Sequence, residues 1–240
     1  AEGENASIAL GRVPGADETK PAEKPGMSVF DRLMAMDRFA AARSPVLFFG
    51  DSITQAGGYI RMFEALLAEY APEKKIELIN AGISGHKVPD LLGRFERDVA
   101  AKKPKTVVIY IGVNDVWHQV LNGKGTPPDV FERGLRELVE KTRAIGAEPM
   151  FVTLATVGER TDGKNELDPK LDEYRAITLR VARETKAVCR DLRAAFMRIL
   201  AEKNGAQAKA GILTTDGVHM RVQGDEVILD EVLRGLAEMP

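Results

Sequence analysis

The chain has 240 residues, 44% apolar and 29% charged, enough material for one large core or two small ones. Lys plus Arg is 34 against 36 for Asp plus Glu, so the basic excess that a nucleic-acid partner requires is missing. No apolar run approaches the roughly 20 residues of a membrane-spanning helix, so neither nucleic acid nor membrane is an expected partner. The single cysteine, Cys189, excludes an intramolecular disulfide and a thiolate metal cluster, and its context AVCRDL is that of a buried structural thiol.

The first 27 residues are rich in Pro, Gly, Glu and Lys and predict a flexible arm, with one folded domain over 28–240. The opening AEGENASIALGRVPG holds no basic stretch followed by an apolar segment. A polar start at Ala1 fits a mature secreted or periplasmic chain whose leader has been removed, and fits a chain cut for expression as well; the first is the expectation taken. From Ser28, apolar residues Phe30, Leu33, Met34 and Phe39 fall near helical spacing, and Ser28 with Asp31 three residues on resembles a capping arrangement.

The chain then alternates. Short apolar runs rich in β-branched and aromatic residues, VLFF (46–49), IELI (76–79), TVVIYI (106–111) and PMFVTL (149–154), predict buried strands. A weaker one follows at AVCRDL. Between them lie amphipathic stretches at 59–71, 88–101, 128–146 and 169–186, with another at 193–205 and a last helix after His219. Strand and helix alternating in this way predict a parallel sheet covered by helices on both faces.

In such sheets ligands bind beyond the carboxyl ends of the strands. The segments there are Gly50-Asp51-Ser52, Asn80 to His86, Gly112-Val113-Asn114-Asp115, and Ala155 to Val157, joined near the C-terminus by Asp216 and His219. A serine hydroxyl is a poor nucleophile at neutral pH and needs a base, a group to orient that base, and donors for the oxyanion that forms. Asp216, three residues before His219, can hold the imidazole so that Nε2 faces Ser52. Gly82 and Gly85 let a backbone N–H approach a substrate, Asn114 offers a side-chain amide, and the Ser52 N–H opens a helix. Taken alone, Ser52 also fits a helix cap or turn serine.

Four blocks, FFGDSIT, NAGISG, YIGVND and DGVH, in that order over about 46–235, resemble those of the GDSL-like, or SGNH, hydrolases. The resemblance implies a flavodoxin-like three-layer α/β/α sandwich and a metal-free, cofactor-free esterase. It implies Ser52 as nucleophile, Asp216 and His219 as the rest of a triad, and an oxyanion hole of the Ser52 and Gly85 amides with Asn114. Ile53 stands where the family's short name has Leu.

Asp51 and Asp115 are expected to brace their turns; Ile53 removes the second carboxylate that an aspartyl-phosphate enzyme would place there. His86, Trp117 and His118 follow site segments and are candidate substrate contacts, the plainer alternative being loop bystanders and, for Trp117, packing beneath the loop. WHQVLNGKGTPPD and ATVGERTDGKNELDPKLDEY are expected to be long polar loops at the active edge, the second offering Arg160 and Lys164 to solvent or to an anionic substrate. Neither carries a wide apolar lid, which argues for a short acyl group such as acetyl on a small-molecule or carbohydrate ester. An acyltransferase using the same site and a non-catalytic carbohydrate-binding protein are the alternatives. Oligomeric state is not legible.

Overall fold

The computed structural model describes residues 26–39 and 43–239. The expected arm falls almost wholly outside them. At its end the Met27 N–H donates to Asp230 Oδ2 at 2.7 Å, and Arg32 pairs with the other oxygen of the same carboxylate at 2.7 Å. The first helix, α1 (Val29–Arg38), starts on the predicted capping box: the Asp31 N–H donates to Ser28 Oγ and the Ser28 N–H to Asp31 Oδ2.

Five strands, β1 (Val46–Gly50), β2 (Leu78–Gly82), β3 (Thr106–Tyr110), β4 (Glu148–Val152) and β5 (Val188–Arg190), form one parallel sheet in the order β2-β1-β3-β4-β5. The apolar runs are continuous because both faces of this sheet are covered. Along β1, Phe48 faces one layer while Leu47 and Phe49 face the other, and all three are fully buried. Each such side chain contributes about 2–3 kcal/mol of transfer free energy.

On the Phe48 face lie α1, α3 (Gly58–Tyr70), α8 (Leu192–Lys203) and α9 (Val222–Glu238). On the Phe49 face lie α4 (Val88–Asp98), α6 (Pro128–Ala144) and α7 (Asp168–Thr185). This is the three-layer α/β/α sandwich with the flavodoxin-like strand order that the sequence implied. Among the described residues no helix is long and apolar enough to cross a membrane. Cys189 sits half-buried on the edge strand β5, where burial pushes its thiol well above the usual range.

Two boundaries differ from expectation, and both bear on the site. β2 runs two to three residues later than IELI, because it pairs in register with β1 from Leu78 opposite Val46 to Gly82 opposite Gly50. The polar Asn80-Ala81-Gly82 is therefore strand, not loop. The first half of WHQVLNGKGTPPD is helix, not loop: α5 (Val113–Asn122) begins after Gly112 and ends where Gly123 takes a left-handed φ of 71°. The chain reverses its winding at β1, building β2 on one side and β3 on the other, so the crevice beyond β1 and β3 is the switch point where doubly wound sheets bind ligands.

Candidate active site

β1 ends at Gly50, and Asp51 caps the one-and-a-half-turn α2 (Ser52–Ala56), its carboxylate accepting the Ile53 N–H at 3.0 Å. Ser52 is thus the first residue of a helix, and its own N–H has no acceptor within that helix. Packing of α2 on the end of β2 is close: a Cβ on Gly82 would stand 2.1 Å from the Gln55 nitrogen. The requirement for glycine at 82 is this approach, not the access of a substrate expected from the sequence. Gly85 is different: its φ of 77° belongs to the left-handed region, in a turn closed by the His86 N–H donating to Ile83 O at 3.3 Å.

The serine and the histidine, 167 positions apart, meet. Ser52 Oγ lies 3.0 Å from His219 Nε2, and His219 Nδ1 lies 2.7 Å from Asp216 Oδ2. The other carboxylate oxygen, Asp216 Oδ1, accepts the Val218 N–H at 2.9 Å and the His219 N–H at 2.8 Å. Partial burial raises the Asp216 pKa, but the hydrogen bonds from the His219 ring and from the two amides outweigh it and hold the carboxyl at about 2. Ionised throughout the neutral range, Asp216 accepts a hydrogen bond from Nδ1–H and so leaves the lone pair of Nε2 toward Ser52.

Asn114 is buried on the first turn of α5, and its Nδ2 donates to the His86 carbonyl at 3.1 Å. This bond ties α5 to the turn of Gly85 and uses one of two amide hydrogens, leaving the second for another acceptor. Since β1 pairs with β2 on one side and with β3 on the other, Ser52, Gly85 and Asn114 all follow the carboxyl ends of three adjacent strands.

The other predicted contacts resolve individually. His118 lies one turn beyond Asn114, its Cε1 3.9 Å from where a Gly85 Cβ would stand. Burial, then the charge of Lys87, lowers its pKa and favours the neutral ring. His86 accepts at Nδ1 from Arg94 Nε at 3.1 Å, which places its proton on Nε2; burial, then Arg94, lowers its pKa too. Trp117 is half-buried against the Phe48-side core, so it packs there and stays partly accessible. Arg160 forks onto Asp162 and is not a free cation.

Asp51 braces its own turn as expected, whereas Asp115 ties α5 to the start of α4; both are buried. Burial, supported by the charge of Asp115, raises Asp51 to about 7 against the opposing Ile53 amide bond. Burial raises Asp115 to about 6, its Oδ1 accepting the Val88 N–H at 3.1 Å.

Sequence reasoning missed two residues that hold this edge together. Arg94, buried on α4, donates to the carbonyls of Gly50 at 2.9 Å and Ala81 at 2.8 Å, stacks on Phe49 at 4.4 Å and fixes the His86 ring. Gln55 Oε1 accepts the Ser84 N–H at 2.6 Å and anchors the turn beside Gly85. In the sequence, Arg94 is one charge among several in LLGRFERD, with nothing local to mark it.

A helix-borne serine hydrogen-bonded to a carboxylate-oriented histidine, at the switch point of a flavodoxin-like sheet, defines an SGNH-type serine hydrolase. Residues 48–227 match the model of the GDSL-like Lipase/Acylhydrolase family, and the chain belongs to that family of carboxylic ester hydrolases. An acetylxylan esterase of Geobacillus stearothermophilus is 34% identical over 211 residues, 79% of this chain and 92% of the relative. Two solved structures are similar over about four-fifths of this chain. The acetyl xylan esterase AlAXEase has a TM-score of 0.77 at 37% identity, with 79% of this chain and 98% of that one covered. Axe2, an acetylxylan esterase from Geobacillus stearothermophilus, has a TM-score of 0.74 at 31% identity, with 83% and 96% covered.

Proposed function

We propose that the protein is an acetyl esterase that removes acetyl groups from O-acetylated carbohydrate, through an acyl-enzyme on Ser52. The observation that carries the reading is the hydrogen-bonded series Ser52–His219–Asp216. Ser52 Oγ attacks the acetyl carbonyl while His219 Nε2 takes its proton. The tetrahedral oxyanion is met by the Ser52 and Gly85 amides and by the second hydrogen of Asn114 Nδ2. His219 then gives that proton to the sugar oxygen as the acetyl C–O bond breaks, the sugar leaves as an alcohol, and acetyl-Ser52 remains. Water, deprotonated by the same imidazole, releases acetate.

Support for acetyl comes from the relatives and from the shape of the edge. Both solved structures above are acetyl xylan esterases, and Axe2 has been solved as catalytic mutants in which a serine or a histidine is replaced by alanine. His219 and Asp216 are open to solvent, with side-chain exposures of 41% and 51%, so the cleft receives an acyl group carried on a bulky alcohol. His86 Nε2–H, the accessible part of Trp117 and the His118 ring supply donors and an apolar surface suited to a sugar ring. The test is an ester series from acetate to decanoate together with acetylated xylan: kcat/KM highest for acetate, acetate released from xylan, and neither activity in Ser52→Ala. A maximum at decanoate would overturn the acetyl assignment.

A further inference from the structure

Asp216 and His219 lie on neither a helix nor a strand but on a segment of 211–221 between α8 and α9. It folds back on itself: the Arg221 N–H donates to Leu213 O at 2.9 Å and the Thr215 N–H to His219 O at 2.8 Å, with Asp216-Gly217-Val218 at the tip. Irregular segments of this kind open most readily in a folded protein, yet a general base must be held to a fraction of an ångström.

The group that fixes it comes from the loop after β4. Glu159 is completely buried. Its Oε2 accepts the Ile212 N–H at 2.8 Å. Its Oε1 accepts the Leu213 N–H at 2.7 Å, the Thr214 N–H at 2.5 Å and the Thr214 hydroxyl at 2.7 Å. The Thr214 hydroxyl in turn accepts the Gly217 N–H at 3.1 Å, which carries the connection from the carboxylate to the residue beside Asp216. The backbone around Glu159 joins in: the Gly158 N–H donates to Gly217 O at 2.8 Å and the Glu159 N–H to Lys209 O at 3.0 Å. Asn204, at the end of α8, donates from Nδ2 to Glu159 O at 2.7 Å, so the support is itself anchored to a helix.

Among the described residues no Lys or Arg pairs with Glu159; its four side-chain bonds all go to 212–214. A carboxylate without a cation partner is costly to bury, and hydrogen bonds to such a group are about twice as strong as neutral ones. Spending that cost on one short segment makes sense where the placement of the segment matters.

We propose that Glu159 is a positioning residue for ester hydrolysis, setting the 211–221 segment so that His219 Nε2 meets Ser52 Oγ. The proposal rests on the triad reading above. Glu159→Gln keeps the three contacts of Oε1 but turns an N–H toward that of Ile212; kcat falls roughly 10-fold with KM within twofold. Glu159→Ala lowers kcat about 10²-fold. Thr214→Val, which removes only the hydroxyl link to Gly217, lowers it roughly 10-fold.

Two readouts separate positioning from stability, each taken well below the Tm of the variant. The rate at which a fluorophosphonate labels Ser52 falls in parallel with kcat, and the low-field Nδ1–H proton resonance of His219 weakens or shifts. Ser52→Ala runs alongside. If it retains turnover, the triad reading fails. If it is inactive while folded Glu159→Gln and Thr214→Val keep kcat, labelling rate and resonance at parental values, the positioning role is overturned. Should Glu159→Ala not fold, the other two variants decide.

Discussion

Replacing Asp216 by Asn tests how the carboxylate orients the His219 ring. The carboxylate serves both sides at once: Oδ1 receives two backbone amides and Oδ2 receives His219 Nδ1–H at 2.7 Å. An amide has only one acceptor oxygen. With that oxygen on the Val218 and His219 amides, the NH2 faces Nδ1 and turns it into an acceptor. The imidazole proton then moves to Nε2 and points at Ser52 Oγ, where no base remains. In a serine protease the corresponding tautomer error costs about 10⁴ in kcat. Here the Asp216 side chain is 51% exposed, so water can replace part of the lost orientation. A loss of about 10³ follows, on the order of 4 kcal/mol of transition-state stabilisation at 1.4 kcal/mol per decade. The assay is p-nitrophenyl acetate turnover from pH 6 to 10, with Tm as the control for folding. A folded Asp216→Asn variant with kcat within about 10-fold of the parent would refute the reasoning.

Asn114→Ala removes a proposed oxyanion donor and the bond to the His86 carbonyl together, so kcat falls about 10²–10³-fold and stability by about 1–3 kcal/mol; steady-state kinetics and urea unfolding check the two parts, and a kcat within threefold would remove Asn114 from the oxyanion hole. Asp51→Asn tests the buried carboxyl at about 7. Because the folded state keeps a proton that the unfolded chain releases near 3.8, stability conferred by the neutral acid is full below about pH 4 and is lost as pH rises to about 7. The Asn variant has no such loss, so its urea midpoint gains on the parent across that window and the difference levels off above it; parallel curves from pH 4 to 8 would show that Asp51 ionises without penalty.

What the sequence revealed follows from the scale of each signal. The central strands β1, β3 and β4 were legible because they are buried on both faces and so read as unbroken apolar runs; Phe48 and Phe49 face opposite layers, yet neither interrupts the pattern. The catalytic candidates were legible because serine and asparagine follow strand ends and aspartate and histidine stand three residues apart before the last helix, and the fold brings Ser52 to His219 across most of the chain. β2 was placed too early because its second half is polar, and pairing with β1 rather than hydrophobicity decides that Asn80 to Gly82 is strand. The segment after Asn114 read as a loop because His118, Gln119 and Asn122 dilute the apolar period, whereas Gly112 and Gly123 supply the ends of a ten-residue helix. Glu159 and Arg94 escaped notice for a common reason. Each is buried by bonds to backbone groups on other segments, 50 residues or so away, and no local pattern distinguishes a charged residue destined for such a place from one destined for water.

The most direct measurement of the central claim is the location of the acyl group. Enzyme quenched in acid during p-nitrophenyl acetate turnover, digested and mapped by mass spectrometry, is predicted to carry one acetyl group on the peptide containing Ser52, and none when Ser52→Ala is treated in the same way. Acetylation confined to another residue, or full turnover in Ser52→Ala, would contradict the account.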